Sequence, residues 1–244
     1  MDEEIKYLAM ERFSMEQTIC ASTKRSDELS EELAKHKEDL REIYAEEPGF
    51  DMLDSSDTPS AQCKRLLGLY FTPTQTDILV GYFETRGLFT APASTKYHGN
   101  WQGGLWEHSL CVARELMKLS HRLNLQWQNG RSPALVGLCH DLCKCRLYKK
   151  DSFTGNYISI KDEFNKGHGN YSVTILREAL SLIGLKPTEE EELCIRYHMG
   201  AYTDLTSKEY VQKEWAELRQ AIEKYPTVLY THTADMIASS IRGT

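Results

Sequence analysis

The sequence predicts an all-α protein, and three observations carry that expectation. Apolar residues recur at helical spacing through most of the chain. Helix-start and helix-stop residues bracket those stretches. Alternation suited to a strand is confined to one short segment, Tyr157-Ile158-Ser159-Ile160, which follows the turn sequence Thr154-Gly155-Asn156 and predicts a small hairpin.

From the N-terminus, residues 1–46 are helical in pattern and highly charged. Leu29, Leu33, Leu40 and Ile43 form a narrow apolar stripe there. This is an acidic extension, most simply a solvated helix, that also offers a contact for a homo-oligomer. Residues 47–60, rich in Pro, Gly, Ser and Asp, read as a linker. Residues 61–244 then form the main domain. Its helices are expected over 61–71 and 74–86, the second ending near Gly87. A strong helix follows over 103–123. In it His108, Val112, Leu116, Leu119 and Leu123 fall on one face, so a histidine lies on the core stripe. Pro133 suits the first turn of a helix over 133–145. Helices resume over 168–183. Thr188 and Glu191 form a capping box ahead of a helix reaching His198. Helices over 208–223 and 227–241 close the chain, and Val228, His232, Asp235 and Ser239 share a face of the last.

Bulk properties narrow the class. With 41% hydrophobic and 27% charged residues, the composition is that of an ordinary globular protein. No apolar run approaches the roughly 20 residues of a membrane span, and the opening Met1-Asp2-Glu3-Glu4 is acidic where a signal peptide is basic. A cytoplasmic protein with no membrane partner is expected. The formal net charge is −7, of which residues 1–60 carry −10 and the remainder +3. An acidic chain repels nucleic acid at long range, whereas a small anion can still enter a local positive site. The seven cysteines are odd in number, and Cys139, Cys143 and Cys145 crowd one segment. They read as small reduced thiols beside the core. A zinc site there lacks the second cysteine pair that such sites usually show.

The chemistry lies in the histidines. His108, His140, His168 and His198 stand where helices begin or face the core, and His140 is followed by Asp141. An ionised Asp inside an apolar segment needs a cation or strong donors. Neutral imidazole with carboxylate is a ligand set for a divalent metal such as Mn, Fe, Zn, Ni or Co. Each histidine taken alone is more simply read as a hydrogen-bonded core residue. Several on apolar faces, with an Asp partner, point to a helical metalloprotein.

The order His…His-Asp…His…His…Asp resembles the HD-domain superfamily of metal-dependent phosphohydrolases. The segments that carry the likeness are GGLWEHSLCV, LCHDLCK, KGHGNYSV, IRYHMG and LYTHTADMIAS, together spanning about residues 95–241. The resemblance implies an HD-domain helical bundle binding one or two divalent ions (Mn, Fe, Zn, Ni, Co or Mg). Carried over by position, His108, His140, Asp141 and Asp235 would hold the first ion. Asp141 would bridge to a second ion completed by His168 and His198. Lys144, in the HDxxK position, would reach a substrate phosphate. The implied reaction is cleavage of a phosphate ester, mono- or diester, by a metal-bound hydroxide. His98 and His232, just outside the ligand set, are candidates to protonate the leaving oxygen. Tyr97, Trp101, Arg146, Lys166 and Tyr202 flank the motifs and are candidates to bind substrate by stacking or by charge.

Departures from the family patterns narrow the substrate. The stringent-response nucleotide hydrolases carry an acidic pair shortly after His-Asp, where Lys144 and Cys145 stand here. The cyclic-di-nucleotide branch carries Gly-Tyr-Pro and paired histidines, which this sequence lacks. The exoribonuclease branch adds a nucleic-acid-binding barrel, unlike the acidic N-terminal region. A small nucleotide-type phosphate ester is the expected substrate, with nucleic acid disfavoured. Two other readings are a di-iron oxygenase on the same scaffold and a non-catalytic nucleotide-binding regulatory module.

Overall fold

The structure, a computed structural model, describes residues 57–160, 167–200 and 208–243. The acidic extension, most of the linker, Lys166 and Tyr202 lie outside the described residues. The described residues are mostly helical. In chain order they form α1 (Pro59–Leu67), α2 (Pro73–Arg86), α3 (Gly104–Arg122), α4 (Ser132–Cys139), a 3-10 turn (Leu142–Arg146), β1 (Tyr148–Lys150), β2 (Tyr157–Ser159), α5 (His168–Ser181), α6 (Glu189–Arg196), α7 (Lys208–Lys224), α8 (Thr227–Ile237) and a closing π turn (Ala238–Arg242). No helix among them is long and apolar enough to cross a membrane.

Local chemistry sets many of these boundaries. α1 and α2 each begin with Pro in the first turn behind a Thr cap, Thr58 and Thr72. Gly87 ends α2 at φ +91°, a left-handed conformation that glycine adopts at little cost. The Thr188–Glu191 capping box forms, with both reciprocal hydrogen bonds made. The hairpin is antiparallel, pairing Tyr148 with Ser159 and Lys150 with Tyr157.

α3 is the central element. Its face of His108, Val112, Leu116 and Leu119 is fully buried. It packs against α4 on one side and α8 on another, while α6 lies against α4, α5 and α8. α3 and α4 approach closely where a Cβ on Gly137 would lie 2.3 Å from the Cα of Ala113. Only glycine permits that contact. It draws the end of α4, and with it His140, up against the middle of α3.

One expected helix is broken. The pattern over 133–145 continues in apolar residues, but α4 stops at Cys139, and a 3-10 turn begins only at Leu142. The cause is local. The His140 ring donates from Nδ1 to the Gly137 carbonyl at 2.8 Å, the acceptor that an unbroken helix would give to the Asp141 N–H. Asp141 takes φ −112°, ψ 22°, outside the helical region. His140 and Asp141 therefore sit at a helix end rather than along a helix wall.

Candidate metal centre

Five side chains from four parts of the fold converge. His108 comes from α3, His140 and Asp141 from the break after α4, His198 from the turn after α6, and Asp235 from α8. His108 Nε2 lies 3.1 Å from His140 Nε2 and 3.1 Å from Asp235 Oδ1. His140 Nε2 is 3.4 Å from Asp141 Oδ2, and His198 Nε2 is 3.4 Å from Asp141 Oδ1. The four rings or carboxylates of His108, His140, Asp141 and His198 are all essentially removed from solvent.

Hydrogen bonding fixes which atoms face inward. The carbonyls of Gly137 and Ile195 can only accept, so the Nδ1 atoms of His140 and His198 must carry the protons that bind them at 2.8 and 2.7 Å. In the neutral rings both Nε2 atoms then present lone pairs to the interior. The two histidines repeat one local device. Each closes a helix and ties its ring to the carbonyl three residues back, which fixes both tautomer and orientation.

Lone pairs from imidazole and carboxylate cannot face one another at these spacings without a cation or a shared proton. Asp141 Oδ1, buried, makes no hydrogen bond. Two ligands each about 2.1 Å from one ion lie about 3.0 Å apart at a right angle and about 3.4 Å apart at a tetrahedral angle. The observed separations match those edges. His108, His140 and Asp235 form one group of ligand atoms able to hold an ion. His140, Asp141 and His198 form a second, and Asp141, Cys143 and His168 a third.

These groups share members but differ from the expected division. His198 stands with His140 and Asp141, and Cys143 stands beside His168 with its Sγ 3.4 Å from the ring Nδ1. Cys143 appeared in the sequence as a buried reduced thiol, and buried it is. What the sequence could not supply is that the 3-10 turn aims it at the first residue of α5.

Lys144 provides the local positive charge. Its Nζ is 2.6 Å from Asp141 Oδ2 and its side chain is mostly buried. Burial alone would raise the Asp141 carboxyl, but the Lys144 ammonium outweighs it and holds the group well below the ordinary carboxylate range. Asp235 is likewise held low, its desolvation overcome by its hydrogen bond with His108. Burial opposes the charge on Lys144 as well, and Asp141 reverses the effect, so the ammonium is raised above its ordinary value. The cluster thus keeps two carboxylates ionised out of water.

The remaining expected residues fall at graded distances. The His98 ring packs on His108, centroids 5.0 Å apart. Burial, with His108 and Lys144 nearby, lowers His98 to about 4, so at neutral pH it is an uncharged imidazole. His232 is buried, donates from Nδ1 to the His198 carbonyl at 2.7 Å, and stacks on Gly200, where a Cβ would come within 3.2 Å of the ring. Its visible work is to hold the His198 turn. Trp101 is partly exposed and donates to Glu107 at 3.0 Å. Tyr97 is 79% exposed, free of the core. Arg146 reaches the Thr85 carbonyl of α2 at 3.4 Å. Tyr148, which the sequence did not single out, lies at the start of β1 within range of the cluster. Burial raises its phenol against the opposing charge of Lys144.

No protein-family model matches the chain, and comparisons with curated proteins and with solved structures give no match either.

Proposed function

We propose that the chain is a metal-dependent phosphohydrolase of the HD-domain type, acting on a small nucleotide-type phosphate ester. The observation that carries the proposal is the convergence of His108, His140, Asp141, His198 and Asp235, with inward-facing lone pairs at ligand-edge spacings. His108, His140, Asp141 and Asp235 would hold one ion, and Asp141, shared between groups, would bridge toward a second held with His168 and His198.

Divalent ions so bound supply Lewis-acid polarisation of a phosphoryl oxygen and acidify a water. The protein's own part is to hold its groups in place. The helix-end carbonyls of Gly137 and Ile195 fix the imidazoles in one tautomer. Gly137 and Gly169 allow the close approaches that bring the segments together, since a Cβ on Gly169 would lie 2.2 Å from the Arg196 carbonyl oxygen. Lys144 already carries its charge beside Asp141, where a phosphate oxygen would be drawn. His98 in its neutral form can offer a hydrogen bond to a leaving oxygen, and His232 positions His198.

The test is elemental analysis of the purified chain beside Asp141→Ala, with hydrolysis of p-nitrophenyl phosphate and its bis ester in added Mn²⁺. Near two metals per chain, lost in the variant together with hydrolysis, is the expected result, and the preferred ester separates monoesterase from diesterase. A protein that takes up no transition metal after reconstitution would overturn the reading. Metal uptake with oxygen consumption and no hydrolysis would point to the di-iron oxygenase. Metal uptake with neither would point to the regulatory module.

A further inference from the structure

The Asp141, Cys143 and His168 group introduces sulfur into a set otherwise made of nitrogen and oxygen. Cys143 is not a lone thiol. Its backbone N–H donates to Ser172 Oγ on α5 at 3.1 Å, which locks the 3-10 turn against the helix that begins with His168. Its Sγ, His168 Nδ1 and a carboxylate oxygen of Asp141 all lie within 4.8 Å of one another. With a metal–sulfur bond of about 2.3 Å and a metal–nitrogen bond of about 2.1 Å, tetrahedral ligands S and N sit about 3.6 Å apart. The observed 3.4 Å is close to that. Asp141, which belongs to this group, is 2% exposed and keeps Oδ1 with no hydrogen-bond partner.

We propose that Cys143 is a metal ligand, and that Asp141, Cys143 and His168 form a thiolate-containing position selective for a soft or borderline divalent ion (Zn²⁺, Fe²⁺ or Co²⁺) over Mg²⁺ or Mn²⁺. Sulfur sets that preference, because thiolate binds borderline ions strongly and hard ions weakly. Binding replaces the S–H bond by a sulfur–metal bond, and the proton leaves to solvent with no change of oxidation state. The proposal rests on the metal-centre reading above and adds to it the identity of one ligand and the class of ion.

The alternative is a thiol–imidazole hydrogen bond that merely orients His168. Cobalt separates the two. The full-length chain, stripped of metal and loaded with Co²⁺ under reducing, anaerobic conditions, is expected to show a near-ultraviolet sulfur-to-cobalt charge-transfer band. Cys143→Ser should lose that band, and Cys145→Ser, whose thiol belongs to none of the ligand groups, should keep it. Zn²⁺ affinity at this position should fall roughly tenfold or more in Cys143→Ser, with Mg²⁺ affinity unchanged. The wild-type spectrum is decisive even if the serine variant fails to fold. Cobalt bound by elemental analysis without the band would overturn the ligand assignment and leave the metal centre standing. A band that survives Cys143→Ser would overturn it too. No cobalt bound at all would overturn both readings.

Discussion

The ammonium of Lys144 lies 2.6 Å from Oδ2 of Asp141, one turn away along the chain, and gives that buried carboxylate a positive partner. A metal bound through Asp141 would compete with the lysine for that carboxylate.

Replacing Lys144 by Met tests that competition. The methionine fills similar space but leaves Asp141 ionised and buried with no ammonium. Removing one partner of a buried pair costs about 3 kcal/mol or more. The metal-free variant should lose stability on that scale, measured by denaturant midpoint, and should regain most of it on adding saturating divalent metal. Phosphate-ester hydrolysis should stay low even when stability returns. A change below about 0.5 kcal/mol without metal would mean that Lys144 behaves as a solvated surface lysine.

Chelation gives the complementary measurement. A ligand present at 100 times its dissociation constant stabilises the folded state by about 2.7 kcal/mol. Wild type should therefore melt several degrees higher in added Zn²⁺ or Mn²⁺ than in EDTA. His140→Ala removes the ring shared by two of the ligand groups. It should gain clearly less from added metal than wild type does, because only the group of Asp141, Cys143 and His168 is left whole. An equal response of variant and wild type would detach the stabilisation from this cluster.

What could be read from the sequence divides along physical lines. The stripe from His108 to Leu119 was legible because a continuous helix repeats its geometry, so spacing alone places a side chain inward. The capping box at Thr188 and the hairpin near Gly155 were legible because they are local devices. The break at His140 was not. Leu138 and Leu142 continue an apolar pattern across it, and the reason for the break is a ring-to-carbonyl bond that no pattern encodes. For the same reason the turn that aims Cys143 at His168 was invisible, since it joins residues 25 apart through a packed helix. Tyr148 was missed because a half-buried strand residue carries no signal of what lies beside it.

The α3–α4 contact supplies a packing test. A methyl on Gly137 would overlap the Ala113 backbone, which neither helix can avoid without moving apart. Gly137→Ala should cost about 3 kcal/mol, the upper part of the overpacking range, and should weaken metal binding because His140 moves with α4. Gly81, inside α2, has nothing within 4 Å of a built Cβ. Gly81→Ala should instead raise stability by up to about 1 kcal/mol through helix propensity. Thermal melts of the two variants, run beside wild type, check both signs.

A pH dependence follows from the clasp between α2 and α5. Tyr82 donates to Glu178 at 2.9 Å and accepts from Arg86 Nε at 3.0 Å, and Arg86 pairs with the same Glu178. Burial, with the bond to Glu178, raises the Tyr82 phenol from 10.0 to about 12. A raised folded pKa favours the protonated form in the fold. Its stabilising effect is thus complete below the unfolded value near 10 and is lost as pH rises toward 12. Wild type should lose more stability than Tyr82→Phe between pH 9 and about 12, followed by chemical denaturation. Parallel curves would show that the phenol ionises as freely in the fold as in the unfolded chain.

The last prediction concerns how the centre is held from behind. Arg131, just before α4, binds Glu191 through Nε at 3.1 Å and Nη2 at 3.2 Å, and Ser132 donates to the same carboxylate at 2.9 Å. Glu191 is also the third residue of α6, where it closes the capping box by accepting from the Thr188 N–H at 2.8 Å. One buried carboxylate thereby joins the start of α4 to the start of α6, the two helices whose far ends carry His140 and His198. Arg131→Met would strand that carboxylate and should cost about 3–5 kcal/mol. Arg131→Lys, unable to make the paired contact, should fall between the variant and wild type. In the lysine variant, metal affinity should drop more than a distant surface substitution such as Lys64→Ala causes, because the spacing of the two imidazoles depends on both helix starts. Titration with Zn²⁺ under conditions where all three proteins remain folded measures this. Equal affinities in all three would show that α4 and α6 hold their histidines through the packing around Gly137 and Gly169 alone.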